Sequence, residues 1–323
     1  MTAEVVRPDR PGLRRAADTL RAGSVCAFPT ETVYGLGAHA FSRSAVEQVY
    51  RLKNRPTWNP LIVHVPSVAA ARDLAAIWPA AADELAERFW PGPLTLVVRR
   101  SPGLNDVGRT PADTIAIRVP AHEVALQLLD ACGLPLAAPS ANRSEGISPT
   151  TARHVVQSLP EVPLVLDGGP CAYGIESTVL DLTEAAPRLL RPGALSLRAL
   201  RAVAGPITVP DTTVADGSQR PSPGMSRRHY APRAKVELVD EFPAAAAGGV
   251  LTYEGHEADA QSPRGGGPQV AEVLSADPRE YAADLYAALH RLDDAGVDRI
   301  LVRRPPDGED WLAIRDRLGR AAA

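Results

Sequence analysis

The amino-acid sequence predicts an α/β protein of two domains. Short apolar or β-branched runs alternate with helical patterns along roughly the first 200 residues. A stretch rich in Pro, Gly, Ser and Asp follows without sustained periodicity, and a second alternation of β and α patterns then runs to the end. These observations predict a domain at residues 1–204, an interdomain linker at 205–232 and a small open α/β domain at 233–323.

The first domain is predicted to contain a mixed sheet. Six runs bounded by Pro, Gly or charged residues predict its buried strands: residues 24–28, 61–65, 94–98, 114–119, 164–167 and 177–182. Helical patterns lie between them, at residues 42–52, 67–77, 122–132 and 148–159. The last of these places Ser148 before Pro149 at a predicted helix start. The connection between the third and fourth strands is too short or too irregular for a helical crossover, so the strands need not all be parallel.

The second domain repeats the alternation on a smaller scale. Strands are predicted at residues 235–240, 249–255, 269–275 and 299–305, and helices at 277–296 and 309–320. No G-x-G-x-x-G motif follows a strand in this region, so dinucleotide binding has little support.

Charge and cysteine content exclude several classes of function. The chain of 323 residues has a formal net charge of -3 and a pI of about 6.2, so it lacks the overall basic surface of nonspecific nucleic-acid binders. Any anion site must therefore be local. Three separated cysteines without a C-x-x-C pair argue against a zinc knuckle and a disulfide framework. No apolar run reaches the roughly 20 residues that span a bilayer, and no secretory signal begins the chain, so we expect a cytoplasmic protein without a membrane partner.

One lysine stands out in an arginine-biased chain. Lys53 and Lys235 are the only lysines among 35 Lys and Arg residues, and Lys53 lies two positions before Arg55. Arginine offers phosphate oxygens a planar fork, whereas lysine offers a compact charge. The pair therefore predicts cations beside a phosphoryl group, although cations that follow a helix also interact favourably with its dipole.

Polar side chains cluster where predicted strands end. FPTETVYGLG at residues 28–37 carries three hydroxyls before two glycines, which suits a small polar ligand or simply a turn. PLAAPSANRSEGIS leads into the predicted helix start at Ser148, which is either an anion site or an ordinary cap. Arg118 lies inside the apolar strand TIAIRV, and a buried arginine needs a carboxylate from the protein or from a ligand.

Seven motifs in a fixed order make the sequence resemble one enzyme family. They are PTETVYGLG, K-x-R-P-x-x-x-P-L, F-W-P-G-P-L-T, I-x-x-R-x-P, P-S-A-N, G-x-x-S-T-V-x-D and R-P-G. The set resembles the threonylcarbamoyl-AMP synthase family with its YrdC-like domain, and S-P-G-M-x-x-x-H-Y-A-P at residues 222–232 is similar to the interdomain loop of the long form. The resemblance covers about residues 10–232. It departs at Ser226-Arg227-Arg228, where long-form members often carry a basic-aromatic-basic trio.

The resemblance implies a fold and a reaction. The fold is a twisted, mixed open sheet with a concave cleft, followed by a small Rossmann-like α/β domain. The activity is that of an L-threonylcarbamoyladenylate synthase, a nucleotidyltransferase. Family members condense L-threonine, bicarbonate and Mg²⁺-bound ATP into threonylcarbamoyl-AMP and release pyrophosphate. A separate transferase then moves the threonylcarbamoyl group to adenosine in tRNA. No direct protein ligand for the metal is expected.

The resemblance also implies two neighbouring sets of binding residues. The threonine set is Thr32, His64, Arg118, the Ala138 backbone and Ser177. The ATP set is Arg55, Asn59, Thr114, Ser140, Ser148, Arg191 and Tyr230. Lys53 and Arg55 are the catalytic cations expected to face the phosphates, and Asn142 is expected to support the nucleotide or its magnesium. The linker is expected to fold over the cleft as a lid, with Tyr230 on the nucleotide.

Three other functions stay open on the sequence. The first domain could be a noncatalytic RNA-binding module, and direct contact with tRNA is undecided. A carbamoyl-adenylate enzyme of the hydrogenase-maturation type shares this domain, but its zinc-finger cysteine pairs and acylphosphatase segment do not occur in this sequence. The C-terminal domain could also be a docking module for a partner.

Overall fold

The computed structural model describes residues 3–102, 104, 113–209, 228–243, 248–256 and 268–323. Two separate β-sheets organise these residues. Most of the predicted linker, including Ser226 and Arg227 of the departing tripeptide, lies outside the described residues. Among the described helices, none is long and apolar enough to cross a membrane.

The first sheet is mixed and contains eleven strands of the described chain. They are β1 Glu4–Val6, β2 Cys26–Phe28, β3 Gly35–His39, β4 Ile62–His64, β5 Ala75–Ile77, β6 Leu94–Arg100, β7 Thr114–Arg118, β8 Leu136–Ala137, β9 Leu164–Leu166, β10 Thr178–Asp181 and β11 Arg188–Arg191. Their order is β1-β9-β2-β3-β8-β4-β7-β6-β10-β11, with β5 beside β6. β4 and β7 are parallel, whereas β6 and β7, which follow each other in sequence, are antiparallel. The predicted mixed sheet is therefore confirmed.

Helices cover both faces of this sheet. Those of the described ranges are α1 Arg10–Arg21, α2 Arg43–Lys53, α3 Val68–Asp73, α4 Ala80–Phe89, α5 Glu123–Cys132, α6 Ala152–Ser158 and α7 Leu197–Ala204. The Thr151 hydroxyl caps α6 by accepting from a backbone N–H, as the Ser42 hydroxyl does for α2. The predicted start of α6 at Ser148 is wrong, because that hydroxyl donates to Glu176 instead.

The period of two along the strands separates a core face from a face that carries polar groups. Val63, Leu96 and Ile117 point into the main core, which α2, α4, α6 and α7 complete. The alternate residues His64 and Arg118 lie opposite each other across β4 and β7, on the other face. α1 and α5 cover the neighbouring part of that face, over β9, β2 and β8. The polar part of the face forms the floor of a cleft.

The second sheet is smaller and wholly parallel. Its strands are β12 Lys235–Val239, β13 Gly249–Tyr253, β14 Val270–Leu274 and β15 Arg299–Arg303, in the order β12-β15-β13-β14. Two helices pack on it, α8 Pro278–Asp294 and α9 Leu312–Ala321, the second after a single 3-10 turn. This arrangement confirms the small α/β domain predicted from the sequence.

The C-terminal domain packs against the loops of the cleft. Its main apolar cluster, which includes Leu285 of α8 and Ile314 of α9, also contains Val33, Ile147 and Ile175 from the first domain. Val33 and Ile175 belong to the PTETVYGLG and GIESTV motifs, and Ile147 follows the PSAN motif. The C-terminal domain therefore fixes the loops that bear the predicted binding residues.

Gly193 lets the turn after β11 lie directly on the backbone of the GIESTV motif. A β-carbon at this position would come 2.4 Å from both Ser177 C and Thr178 N, far closer than atoms can pack. The Ala194 N–H also donates to the Glu176 carbonyl at 3.1 Å. The close approach explains why the RPG motif needs its glycine.

We expect Gly193→Ala to lower the free energy of unfolding by about 1–3 kcal/mol, because the added carbon meets backbone atoms that cannot move aside. The matched control is Gly319→Ala in α9, where an added carbon meets nothing within 4 Å. Alanine there should raise stability by about 0.5–1 kcal/mol. Chemical denaturation of the two variants measures the difference. A Gly193→Ala protein as stable as the wild type would contradict this close contact.

Candidate active site

The cleft contains a cavity whose wall holds most of the residues predicted to bind ligands. Its empty volume is about 520 Å³, part of it open to solvent. From the two predicted sets, the wall contains Thr32, His64, Arg118, Ala138, Ser177, Arg55, Ser140, Arg191 and Tyr230. Thr30, Glu176 and His229 are further polar residues of the wall that belong to neither predicted set.

Arg118, at the end of β7, is held by three neighbours at one side of the cavity. Its Nε donates to the Gly92 carbonyl at 3.2 Å, and its Nη1 donates to the Thr32 hydroxyl at 2.9 Å. Its Nη2 lies 2.6 Å from Glu31 Oε1, and both side chains of this ion pair are buried. The arginine therefore has a carboxylate partner within the protein, while its side chain still forms part of the cavity wall.

His64 presents a neutral imidazole to the same side of the cavity. Burial, followed by the charge of Arg118, lowers the pKa of His64 to about 3. Its Nδ1 finds no hydrogen-bond partner among the described residues. A neutral ring can donate or accept a hydrogen bond, so His64 suits an uncharged polar group such as a hydroxyl.

Arg55 and Asn59 form a second hydrogen-bonded unit at the cavity. Asn59 Oδ1 accepts from Arg55 Nη2 at 2.6 Å, and the Asn59 and Pro60 carbonyls accept from the same guanidinium at 3.2 and 2.9 Å. Burial lowers the pKa of Arg55 to about 10, so the group stays charged at neutral pH. Asn59 does not line the cavity itself. Its hydrogen bonds instead orient the Arg55 guanidinium, which does.

Ser177 and Arg191 connect β10 with β11 beside Arg55. Arg191 Nη2 donates to the Ser177 carbonyl at 2.9 Å and to the Ser177 hydroxyl at 3.1 Å. The Ser177 hydroxyl also lies 2.8 Å from the Thr95 hydroxyl of β6. These bonds fix the Arg191 guanidinium in the wall, and its charge acts on Arg55 of the same wall.

Lys53 lies outside the cavity wall and supports the loop that forms part of it. The side chain at the end of α2 is 1% exposed, and its ammonium donates to the Ser140 carbonyl at 2.6 Å and also to the Asn142 carbonyl. Burial, followed by the charge of Arg55, holds the pKa of Lys53 well below its usual value. This position differs from the prediction that Lys53 faces the phosphates. Backbone oxygens of the PSAN loop surround the buried cation, and the loop in turn presents Ser140 to the cavity.

Three further predicted contacts are indirect or distant in the structure. Asn142 Nδ2 donates to the Gly146 carbonyl at 2.8 Å, so this amide closes its own loop. Thr114 begins β7 and is four positions, or about 13 Å, from Arg118 along the strand. Ser148 reaches the cavity only through its bond to a wall residue, Glu176. The ligand roles that the resemblance implies for these three residues stay predictions.

Glu176 is a cavity residue that no motif singled out. The buried carboxylate accepts hydrogen bonds from Ser148 Oγ at 2.6 Å, the Tyr286 hydroxyl at 2.9 Å and Arg317 Nε at 2.8 Å. Burial would raise the pKa of Glu176, but the charges of Arg317 and Arg191 and the hydrogen bonds outweigh it and lower the pKa to about 2. The carboxylate is therefore ionised at neutral pH and joins the two domains. Its signal in the sequence is an acidic residue two positions before the buried strand β10.

Tyr230 and His229 bring the end of the linker into the wall. Tyr230 is buried with a φ of 61°, and its hydroxyl finds no hydrogen-bond partner within the described part of the chain. Burial raises the pKa of Tyr230 to about 12, so the hydroxyl is protonated at neutral pH. The segment 210–227 that leads to it lies outside the described residues, so closure by a lid stays a prediction.

Comparisons with known proteins match both domains. The family model described as "Telomere recombination" matches residues 18–193, and the model described as "Threonylcarbamoyl-AMP synthase, C-terminal domain" matches residues 195–323. Curated threonylcarbamoyl-AMP synthases of Pyrococcus abyssi and Bacillus subtilis are 40% and 41% identical to this chain, over 96% and 97% of it and 94% and 93% of their own lengths. The chain belongs to the threonylcarbamoyl-AMP synthase family.

A solved structure extends the similarity to the whole fold. The structure of a P. abyssi member of the threonylcarbamoyl-AMP synthase family, complexed with L-threonine, matches with a TM-score of 0.87 at 38% identity. The match covers 100% of this chain and 98% of that one. The predicted α/β fold, the long form of the synthase family and the predicted class of enzyme are thereby confirmed.

We expect Lys53→Met to lower the free energy of unfolding by about 1–3 kcal/mol, because two buried carbonyls lose their donor. Lys235→Met is the matched control, since Lys235 is the other lysine of the chain and its side chain is 76% exposed. Its stability should change by less than about 0.5 kcal/mol. Denaturant titration measures both values. Equal stability of the two variants would show that the Lys53 ammonium does not hold the PSAN loop.

Proposed function

We propose that this chain condenses L-threonine, bicarbonate and ATP into threonylcarbamoyl-AMP and releases pyrophosphate. The observation that carries the proposal is a single cavity whose wall holds two chemically different groups of residues. Arg118, Thr32 and His64 are neighbours and offer a cation, a hydroxyl and a neutral imidazole. Arg55 and Arg191 offer two further guanidinium groups. The first group suits a hydroxyl amino acid and the second suits phosphates.

Threonine is assigned to the side of Arg118. The guanidinium binds the substrate carboxylate by charge-assisted hydrogen bonds, and the Thr32 hydroxyl adds a polar contact. His64 is neutral and offers the threonine hydroxyl a hydrogen bond without a competing charge. Ser177 and the Ala138 backbone lie in the wall around this position. The L-threonine in the P. abyssi complex supports the same amino acid here.

ATP is assigned to the side of Arg55 and Arg191. Their guanidinium groups match the oxygens of the phosphates and stabilise the negative charge that grows as pyrophosphate leaves. The Ser140 hydroxyl and Tyr230 belong to the same wall and complete the nucleotide contacts. Lys53 contributes through the loop that carries Ser140.

The reaction needs positioning more than it needs a protein nucleophile. The threonine amine attacks the carbon of bicarbonate, which gives a carbamate and water. A carbamate oxygen then bonds to the α-phosphorus of ATP while the bond from this phosphorus to pyrophosphate breaks. The products are threonylcarbamoyl-AMP, pyrophosphate and water, and no side chain of the protein forms a covalent bond. Holding the reactants in one cavity supplies the orientation that such a displacement requires.

Magnesium is part of the substrate in this proposal. In the described ranges, no cluster of three or more His, Cys, Asp or Glu could hold a metal ion. The acidic side chain in the cavity wall, Glu176, is engaged by three hydrogen-bond donors. Phosphate oxygens and water are common ligands of Mg²⁺. We assign the ion to the phosphates of ATP.

The product fits a two-enzyme sequence. Threonylcarbamoyl-AMP is a mixed anhydride, so its carbonyl carbon is activated for transfer to a nucleophile. A separate transferase that uses adenosine of tRNA as the acceptor is the proposed partner. We place both reactions in the cytoplasm, where ATP and tRNA meet.

Pyrophosphate release tests the proposed function directly. The purified chain should release pyrophosphate when L-threonine, bicarbonate and ATP are all present, and omission of any one should abolish the release. Mass spectrometry should detect threonylcarbamoyl-AMP in the same mixture. Absence of the product would overturn the proposal, and RNA binding without turnover would then favour the noncatalytic module.

We expect the double variant Glu31→Gln/Arg118→Ala to have a KM for threonine about 10- to 150-fold higher than that of Glu31→Gln. This increase corresponds to the loss of one hydrogen bond between the Arg118 guanidinium and the threonine carboxylate. The comparison uses Glu31→Gln as its reference because Arg118→Ala alone would leave a buried carboxylate without its cation. The KM for ATP should stay nearly constant. An unchanged KM for threonine would mean that Arg118 serves only to pair with Glu31.

A further inference from the structure

We infer that Arg317, on the last helix of the C-terminal domain, is a positioning residue for ATP binding. It holds the Glu176 carboxylate and the Tyr230 ring in the cavity wall, so the ATP side of the cavity is complete only when α9 is in place. The inference rests on the proposed function, and it gives the C-terminal domain a part in the reaction.

Arg317 reaches the cavity wall through two of its residues. Its Nε donates to Glu176 Oε2 at 2.8 Å across 141 positions of sequence, and its Cζ lies 4.9 Å from the centre of the Tyr230 ring. On the other side, Nη1 donates to Asp316 Oδ2 at 2.8 Å. The side chain is 1% exposed, which is rare for an arginine. Such burial is stable because an ion pair and an aromatic face surround the charge.

The helices of the C-terminal domain also hold the backbone and ring of Tyr230. The N–H of the preceding His229 donates to the Arg320 carbonyl of α9 at 3.1 Å. The Tyr230 ring stacks on Tyr286 of α8, with the ring centres 5.7 Å apart and an angle of 28° between the planes. The same Tyr286 donates its hydroxyl to Glu176. One network therefore fixes both wall residues that Arg317 contacts.

The charge of Arg317 explains why an arginine is required at this position. Glu176 shares the wall with Arg55 and Arg191, the two groups assigned to the phosphates. A carboxylate without a partner here would repel phosphate and would cancel part of the positive charge of these arginines. Arg317 compensates Glu176 from behind, since it is not part of the cavity wall as described. The cavity thus keeps a positive potential toward ATP.

ATP affinity in a set of full-length variants tests the inference. Arg317→Met should raise both the KM and the calorimetric Kd for ATP at least about 10-fold. The KM for threonine should change less than about 3-fold. Glu176→Gln/Arg317→Met should regain most of the lost ATP affinity, because no carboxylate is left to repel the phosphates. The ATP affinity of Glu176→Gln alone is measured as the reference for the double variant.

Arg315→Met is the matched control on the same helix. Arg315 Nη1 donates to the carbonyls of Pro306 and Gly308, away from the cavity wall, so this variant should keep the wild-type KM for ATP. Circular dichroism and thermal unfolding establish that each variant is folded. Should Arg317→Met not fold, Arg317→Lys takes its place. A point charge cannot hold both Glu176 and the Tyr230 ring, so its KM for ATP should still rise about 3-fold or more.

Wild-type ATP affinity in the folded Arg317 variant would overturn the inference. Equal losses in Arg317→Met and in the double variant would also overturn it, because a merely structural residue is not rescued by removal of a charge. Failure of this inference can be distinguished from failure of the proposed function. A wild-type protein that binds ATP but releases no pyrophosphate would refute the reaction and leave the comparison of ATP affinities intact.

Discussion

A charge buried away from water must find a partner, and this constraint arranges the whole cavity. Arg118 lies against Glu31, the Lys53 ammonium lies on backbone carbonyls, and Glu176 accepts from Arg317. An isolated ion in the interior costs several kcal/mol, more than any single loop contact can offset. Each pair therefore fixes the relative position of segments that are distant in sequence, and the cavity has its shape before any substrate enters.

The same constraint explains how lysine and arginine are divided between roles. A compact ammonium can be surrounded by converging oxygens, and Lys53 is placed among the carbonyls of Ser140 and Asn142. A planar guanidinium can be held in a fixed plane by several acceptors and still form part of a cavity wall, as Arg55 and Arg118 do. The sequence led to the expectation of a phosphate beside Lys53, whereas the oxygens that its ammonium meets in the structure are backbone carbonyls.

Local patterns in the sequence predicted six strands of the first sheet, because the strand period acts over short distances, and the family resemblance implied most of the residues that lie in the cavity wall. The local patterns failed where tertiary contacts decide. The helical pattern at residues 67–77 divides into α3 and β5, since β5 pairs with β6. The partnership of Glu176 and Arg317 spans 141 positions and two domains, which no local pattern can predict. One weak signal existed, because Arg317 lies three residues after the buried Ile314, on the apolar stripe of α9.

Tyr230 shows what the second domain contributes to the first. Its φ of 61° lies in the left-handed region, which costs a residue with a β-carbon about 1–2 kcal/mol. Stacking on Tyr286 and the Arg317 guanidinium over the ring offset that cost, and both partners come from the C-terminal domain. The end of the linker is therefore stable in this conformation only against α8 and α9. Because Tyr230 is also part of the cavity wall, docking of the C-terminal domain and completion of the cavity are one structural event.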